Sequence, residues 1–190
     1  MNKEKMSARV RGFGIKIFAI FGYHTSRSRE YEFAMNNIPS KGSRILDVGS
    51  TGSLFPLKLA KKGYEMYAID VREYHEKHPN LTVVSTDIEN TPFSDDFFDV
   101  ITCVSTIEHI GLGGYEDPKY EGGELAMEEF KRTLKKQGRL ILTTPFAGEY
   151  KVLQWKNTYE RIYSYEKIRA LFKGWNVLKE EYYIPEKAKH

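Results

Sequence analysis

One seven-residue run sets the strongest constraint on this chain. Phe98-Asp99-Val100-Ile101-Thr102-Cys103-Val104 is apolar apart from Asp99 and Thr102, without the alternation of a half-solvated strand. A run of this kind reads as a strand buried on both faces. Such strands occur where helices cover both sides of a parallel sheet. The rest of the chain has to supply those helices.

The flanking pattern does so. Arg44 to Val48 is a short apolar run that ends in glycines. Leu54 to Lys62 follows as a helix, with Pro56 in its first turn and Gly63 as its stop. Tyr64 to Ile69 and Leu81 to Ser85 read as two more strands. Gly123 to Gln137 reads as a helix with Ala126, Phe130 and Leu134 on one stripe. Gly138 ends it, and Arg139 to Thr144 is a further strand closed by Pro145. Ser164 suits the N-cap of a helix that turns Ile168, Leu171 and Phe172 inward, and Asn176 to Ile184 reads as the last strand. Strands alternating with helices predict parallel βαβ units. The expectation is an α/β fold: a doubly wound, mostly parallel sheet of six or seven strands with helices on both faces. The connections at 71–80 and 89–97 are too short for long crossover helices. Residues 1–43 precede the sheet, and 145–163 reads as an irregular, aromatic-rich insertion.

Composition narrows the function classes. With 190 residues, 41% apolar and 29% charged, the chain suits a soluble globular domain. Cys103 is the single cysteine, which excludes an intrachain disulfide framework and a multi-cysteine zinc site. No run of about 18 apolar residues is present to span a membrane. Arg11, Gly12, Gly14 and Lys16 break up the one N-terminal apolar stretch before it forms a secretory signal. A cytoplasmic protein is therefore expected. The net charge is +3, but the excess of bases over acids sits in the first 30 residues. A nucleic-acid partner is not expected, because such proteins spread their bases over a face of the folded domain. The arm at 9–23 joins Phe13, Ile17, Phe18, Ile20 and Phe21 to basic flanks. It reads either as a helix over the site or between subunits, or as a segment resting on an anionic membrane surface. Glycines at 12, 14 and 22 favour the first.

In sheets of this class, ligands bind beyond the carboxyl ends of the strands. The first strand delivers Asp47-Val48-Gly49-Ser50-Thr51-Gly52-Ser53, whose glycines let the backbone turn and approach a ligand. The second delivers Asp70 and Val71. Asp70 stands 23 residues after Asp47, a spacing that suits a carboxylate accepting both hydroxyls of an adenosine ribose. The third delivers Asp87 and Ile88, with Asp87 placed to accept from an adenine amino group. The fourth delivers Ser105-Thr106-Ile107-Glu108-His109. Each has a plainer reading: a simple turn, a solvated strand-end carboxylate, a cap, a helix start.

The ordered set Ile45-Leu46-Asp47-Val48-Gly49, Ala68-Ile69-Asp70, Thr86-Asp87-Ile88, Phe98-Asp99-Val100-Ile101, Ile107-Glu108-His109-Ile110 and Leu134 to Leu142 resembles class I S-adenosylmethionine-dependent methyltransferases over about residues 40–185. The resemblance implies a Rossmann-like fold in one domain over 1–190. An N-terminal arm and lid (1–43) would precede a cofactor-binding core (44–144) and a substrate-side part (145–190). S-adenosyl-L-methionine is the implied cofactor, with Asp47, Gly49, Ser50, Thr51, Gly52, Asp70, Val71, Asp87, Ile88 and Ser105 as its contacts. Asp47 is expected near the cofactor's ammonium. Two departures stand out. Thr51 and Ser53 occupy the second and third glycine positions of the family's loop, and only one strand follows the last helix, where the family usually ends in an antiparallel hairpin.

The implied reaction is methyl transfer, O- or N-, to a small-molecule or saccharide acceptor. Gly111 to Pro118, Gly123 to Met127 and Arg161-Ile162-Tyr163 resemble a subfamily found in the company of glycan-assembly proteins, which points to glycan biosynthesis. His109 is the candidate base, with a cofactor or loop-orienting role as its plainer reading. The acceptor pocket is expected between the 111–120 loop, the segment Trp155 to Tyr165 and a lid at Tyr23 to Tyr31. Tyr115, Glu116, Asp117, Arg161 and Tyr163 are the substrate contacts, joined by Trp155, Asn157 and Tyr159. Glu116 and Asp117 lie in one loop without a supporting ligand pattern, so no metal is assigned. Two other classes remain: a non-catalytic binding or scaffold protein on this fold, and a nicotinamide-dependent oxidoreductase. The second predicts G-x-G-x-x-G, of which only Gly49 and Gly52 are present.

Overall fold

The computed structural model describes residues 14–21, 27–39, 42–114, 122–155 and 158–184. Its elements run β1 (Gly14–Phe21), α1 (Arg27–Asn37), β2 (Arg44–Val48), α2 (Phe55–Lys61), β3 (Glu65–Asp70), β4 (Leu81–Ser85), a 3-10 turn (Ile88–Asn90), β5 (Phe98–Val104), α3 (Gly122–Thr133), β6 (Leu134–Phe146), β7 (Lys151–Trp155), β8 (Thr158–Ile162), α4 (Tyr165–Leu171) and β9 (Asn176–Tyr183). The main sheet is β4-β3-β2-β5-β6-β1-β9, parallel throughout. Its five strands from β4 to β6 are the ones read from the central sequence, and two strands from near the chain's ends widen it.

The strand interiors alternate between two helical layers. Ile45, Met66, Val100, Val104 and Ile141 face α1 and α2, where Phe33, Ala34, Phe55, Leu59 and Ala60 meet them. Leu46, Val48, Ile69, Ile101, Cys103, Leu140 and Leu142 face α3 and α4, packing with Ala126, Met127, Phe130, Ile168 and Phe172. The sheet is doubly covered, which is why β5 shows no polar face.

Three expectations change. The arm was expected outside the sheet, as a helix or a membrane-resting segment. Gly14–Phe21 is instead a strand, paired in parallel with β6 on one side and β9 on the other. Its Ile-Lys-Ile-Phe-Ala-Ile-Phe content is β-favouring, and glycines discourage the helix. Secondly, α3 ends at Thr133 and not at Gln137. Leu134 already pairs with Phe98, and a bulge carries the register on to Arg139 opposite Val100. Gln137, at φ +69, makes that bulge. Thirdly, the insertion is not irregular: β7 and β8 form an antiparallel hairpin, with Lys151 opposite Ile162 and Trp155 opposite Thr158. Ser164 caps α4 as expected, its Oγ accepting from the Lys167 N–H at 3.4 Å. No described helix is long and apolar enough to cross a membrane.

Gly49 is the tightest point between the strand ends. It sits at φ +78, and a Cβ there would lie 2.3 Å from Thr106 Oγ1. Gly63 has a similar φ of +91 but open space around it. Gly49→Ala is expected to cost about 3 kcal/mol or more, combining backbone strain with the clash, whereas Gly63→Ala costs about 1 kcal/mol. Equal urea midpoints for the two variants would contradict this.

Candidate active site

A cavity of about 590 Å³ opens beyond the carboxyl ends of β2, β3, β4 and β5, within the range of small-molecule pockets. Gly49, Thr51, Gly52, Asp70, Val71, Ile88, Ser105 and His109 line it, so eight of the eleven expected cofactor and catalytic residues converge. The glycine loop turns at Gly49 and Gly52 (φ +78 and +84), the two loop positions with positive φ. Thr51 and Ser53 therefore stand where no left-handed backbone is needed. Their side chains tie the loop down. Thr51 Oγ1 reaches the Glu73 carbonyl at 3.3 Å, and Ser53 Oγ accepts from the Phe55 N–H at the start of α2 and from Tyr31 Oη.

Asp70 ends β3 with its side chain buried. Oδ2 accepts from the Thr51 N–H and Oδ1 from the Arg72 N–H, both at 2.9 Å. The Arg72 guanidinium also forks onto the carboxylate at 3.0 and 3.2 Å. Burial opposes the charge, but these hydrogen bonds outweigh it and hold the carboxyl below its usual range. Any hydroxyl pair arriving at Asp70 has to share it with Arg72 or displace it.

Three expected cofactor contacts do not line the cavity. Asp47 is buried beneath the glycine loop, accepting from Ser50 Oγ at 3.0 Å and Thr102 Oγ1 at 2.7 Å. It braces the loop against β5 and is not part of the cavity lining, where the ammonium was expected. Burial pushes it up to about 7, against the Thr102 and Ser50 hydrogen bonds. Ser50 is its buried partner. Asp87 is a cap: it accepts from the Glu89 N–H at 3.1 Å and starts the 3-10 turn.

On the other wall, His109 Nδ1 lies 2.7 Å from the Tyr159 carbonyl oxygen. A carbonyl only accepts, so Nδ1 carries the hydrogen and Nε2 the lone pair. Burial pushes this imidazole below its ordinary pKa, the carbonyl opposing. The contact comes from β8, which lies along the segment after β5. The Arg161 N–H also donates to the Glu108 carbonyl at 2.9 Å. Arg161 and Tyr163, expected to hold the acceptor, are structural instead. Arg161 is buried with Nη1 2.6 Å from the Ile110 carbonyl oxygen, and Tyr163 packs in the core beside α3 and α4. Tyr115, Glu116, Asp117, Asn157 and the Trp155 side chain lie outside the described residues.

Sequence reasoning missed part of the lining. Arg27 and Tyr31 reach the cavity from α1, Lys58 from α2 and Arg72 from the turn after β3. Tyr31 stacks on Phe55, with ring centroids 5.0 Å apart, and it and Arg27 fall within the expected lid.

The profile of the family described as "Methyltransferase domain" matches residues 46–142, half of the chain and every strand end that meets the cavity. The chain belongs to the methyltransferase domain family. Among curated relatives, a ubiquinone biosynthesis O-methyltransferase of Rickettsia akari is 33% identical over 76 residues, covering 35% of this chain and 30% of the relative. Its Coxiella burnetii namesake is 30% identical over 88 residues, covering 42% and 38%. The chain thus spans about a third of the length of these relatives. Among solved structures, the 1,6-didemethyltoxoflavin-N1-methyltransferase of Burkholderia thailandensis superposes with a TM-score of 0.62 at 13% identity, over 77% of this chain and 65% of that one. That likeness shows the fold. The match of the methyltransferase domain ends at Leu142, so β7, β8, α4, β9 and the α1 wall lie outside it.

The Asp47 environment makes a stability prediction. The folded pKa of about 7 lies above the unfolded value near 3.8, so the fold holds the proton more tightly. Stability from this group is complete below about pH 4 and is lost as pH rises through 7. Asp47→Asn removes that loss. Ser50 Oγ and Thr102 Oγ1 already have the Asp47 and Leu46 carbonyls as other acceptors. Relative to the parent, the variant is expected to gain roughly 2–4 kcal/mol between pH 4 and pH 7.5 in urea unfolding. A pH-independent difference would contradict the assignment.

Proposed function

We propose that this chain is a class I S-adenosylmethionine-dependent methyltransferase that methylates oxygen or nitrogen on a small-molecule acceptor. The observation that carries this reading is the convergence of the Gly49–Gly52 turn, the buried Asp70 carboxylate and the Val71 and Ile88 side chains on one cavity. The donor set fits an adenosine-bearing cofactor. Asp70 would accept the ribose hydroxyls, Val71 and Ile88 supply apolar surfaces for the base, and the loop's positive-φ glycines leave room for close backbone approach. When bound, the cofactor supplies a methyl group on positively charged sulfur, open to direct displacement. The protein's work is alignment, water exclusion and proton removal.

His109 is the proposed base. Its Nδ1–H is anchored on the Tyr159 carbonyl, its low pKa keeps it neutral, and it lines the cavity wall opposite the glycine loop. Tyr31 and Ile110 cover the same space with apolar surface. The saccharide and glycan expectation loses Arg161 and Tyr163, two of the described side chains that carried it. Names of relatives point to small acceptors of both atom types: ubiquinone biosynthesis O-methyltransferases and a toxoflavin N1-methyltransferase. The Arg72 fork over Asp70 favours one other reading, a binding protein whose nucleoside site is covered by its own side chain.

Calorimetry with S-adenosylhomocysteine tests the proposal. Binding is expected, with Asp70→Ala weakening it at least tenfold through loss of charge-assisted hydrogen bonds. Equal affinity in the variant, or no binding to the parent, would overturn it. For His109, kcat/KM is expected to rise with pH through a midpoint below 6.5 and then level off. His109→Gln should lose that rise and lower kcat about a hundredfold. Full activity in this variant would remove His109 from the chemistry and leave it an orienting role.

A further inference from the structure

Helix α1 carries a carboxylate that the proposed reaction has not used. Glu30 is fully buried, and its Oε1 accepts from Ser105 Oγ at 2.5 Å and from Thr143 Oγ1 at 2.8 Å. Thr143 Oγ1 in turn accepts from the Ser105 N–H at 2.9 Å. This triangle joins α1 to the ends of β5 and β6. It also holds Ser105 at φ +45, a conformation that serine keeps only when its surroundings impose it. Glu30 Oε2 is buried without a hydrogen-bond partner among the described residues. A buried carboxylate with so few donors is costly, and such groups call for an explanation.

Position supplies one. Ser105 lines the cavity and Glu30 stands behind it. A serine hydroxyl has one hydrogen, and here Glu30 holds it, so Ser105 offers the cavity only lone pairs. A group lying against Ser105 has to bring an N–H or O–H. The carboxylate behind then discriminates between nucleophiles. An oxygen nucleophile sheds its proton and moves toward an anion, which Glu30 opposes. An amine attacks uncharged and becomes positive as its new bond forms, which Glu30 favours across a buried, weakly screened distance. Arg27 also lines the cavity, but on its exposed rim, where water and salt screen it.

Resting on the methyltransferase reading above, we propose that the acceptor atom is an amine nitrogen received by Ser105, and that Glu30 is the positioning residue that sets this preference. The nitrogen lone pair forms the N–C bond, the C–S bonding pair leaves with sulfur, and the ammonium proton passes to His109 and on to solvent. Of the two atom types left open above, this selects nitrogen.

Sinefungin tests the idea without knowledge of the acceptor. It is an adenosylmethionine analogue with a primary amine in place of the methyl group, so it brings an N–H donor and positive charge to the transfer position. Calorimetry on the full chain compares it with S-adenosylhomocysteine, which lacks that amine. The parent is expected to bind sinefungin about tenfold more tightly. Glu30→Gln keeps an acceptor for Ser105 but removes the charge, and it should bring the affinity ratio close to one while homocysteine-analogue binding persists. Ser105→Gly, which relieves the positive φ and leaves Thr143 Oγ1 on Glu30, is the second variant and should erase the ratio too. A parent ratio near one, or a ratio unchanged in both variants, overturns the amine assignment while leaving the methyltransferase reading intact. Failure of the parent to bind S-adenosylhomocysteine at all overturns that reading and this inference with it.

Discussion

Thr106 occupies the space that a side chain on residue 49 would need, and the cavity exists because of it. Its Oγ1 bonds the Val48 and Val104 carbonyls, both at 3.1 Å, so it sits across the ends of β2 and β5. This lets the loop after β5 press against the glycine loop. Everything on the far wall follows that loop: Ser105 one residue before Thr106, His109 three after. With a bulkier residue at 49 the two loops would part, and the groups that face each other over the cavity would lose their register. The constraint is steric first and chemical second. Asp47 works beneath the same junction, spending a buried carboxyl on Ser50 and Thr102 to keep the strand ends together.

That division between bracing and facing explains which residues were legible. Gly49, Gly52 and Asp70 were read correctly as positions because local spacing decides them: a turn needs positive φ, and a strand end has to stop somewhere. The two faces of β5 were equally plain, since a run without polar alternation has no other place to go. Direction was not legible. A carboxylate at a strand end can point up into a ligand site or down into the packing, and the sequence is the same for both. Asp70 lines the cavity while Asp47 turns beneath the loop, and Asp87 caps a turn of its own. Arg161 shows the same ambiguity on the acceptor side. It was expected among the acceptor contacts, but it turns into the packing, where the Ile110 carbonyl meets the cost of burying it.

Long-range pairing was the other blind spot. β1 aligns Gly14 with Arg139 and with Asn176, separations that no local pattern reveals. An apolar stretch with glycines and lysines reads as an arm until the two strands on either side of it are known. The β7–β8 hairpin was missed for a related reason: its aromatic and charged residues lack clean alternation, and its stability comes from lying against residues 108–114. Its contribution to the site is made by backbone atoms, the Tyr159 carbonyl and the Arg161 N–H, which side-chain reasoning passes over.

The position of β1 ties one wall of the cavity to the edge of the sheet. Because β1 lies between β6 and β9, the chain leaves the sheet at Phe21 beside the carboxyl end of β6 and needs only a short connection to begin α1 at Arg27. The first turn of α1 is thereby delivered to the cavity, with Glu30 on Thr143 of β6 and Ser105 after β5. Arg29 on the same turn reaches the Tyr183 ring of β9 at 4.9 Å. One short helix thus touches the sheet edge with one residue and the cavity-lining Ser105 with the next. Helix α1 lies outside the stretch that defines the methyltransferase domain, whereas Ser105 and His109 lie within it, so two parts of the sequence meet at this wall. Substitutions in β1 or β9 can therefore act on the Glu30, Ser105 and Thr143 triangle without touching a residue that lines the cavity.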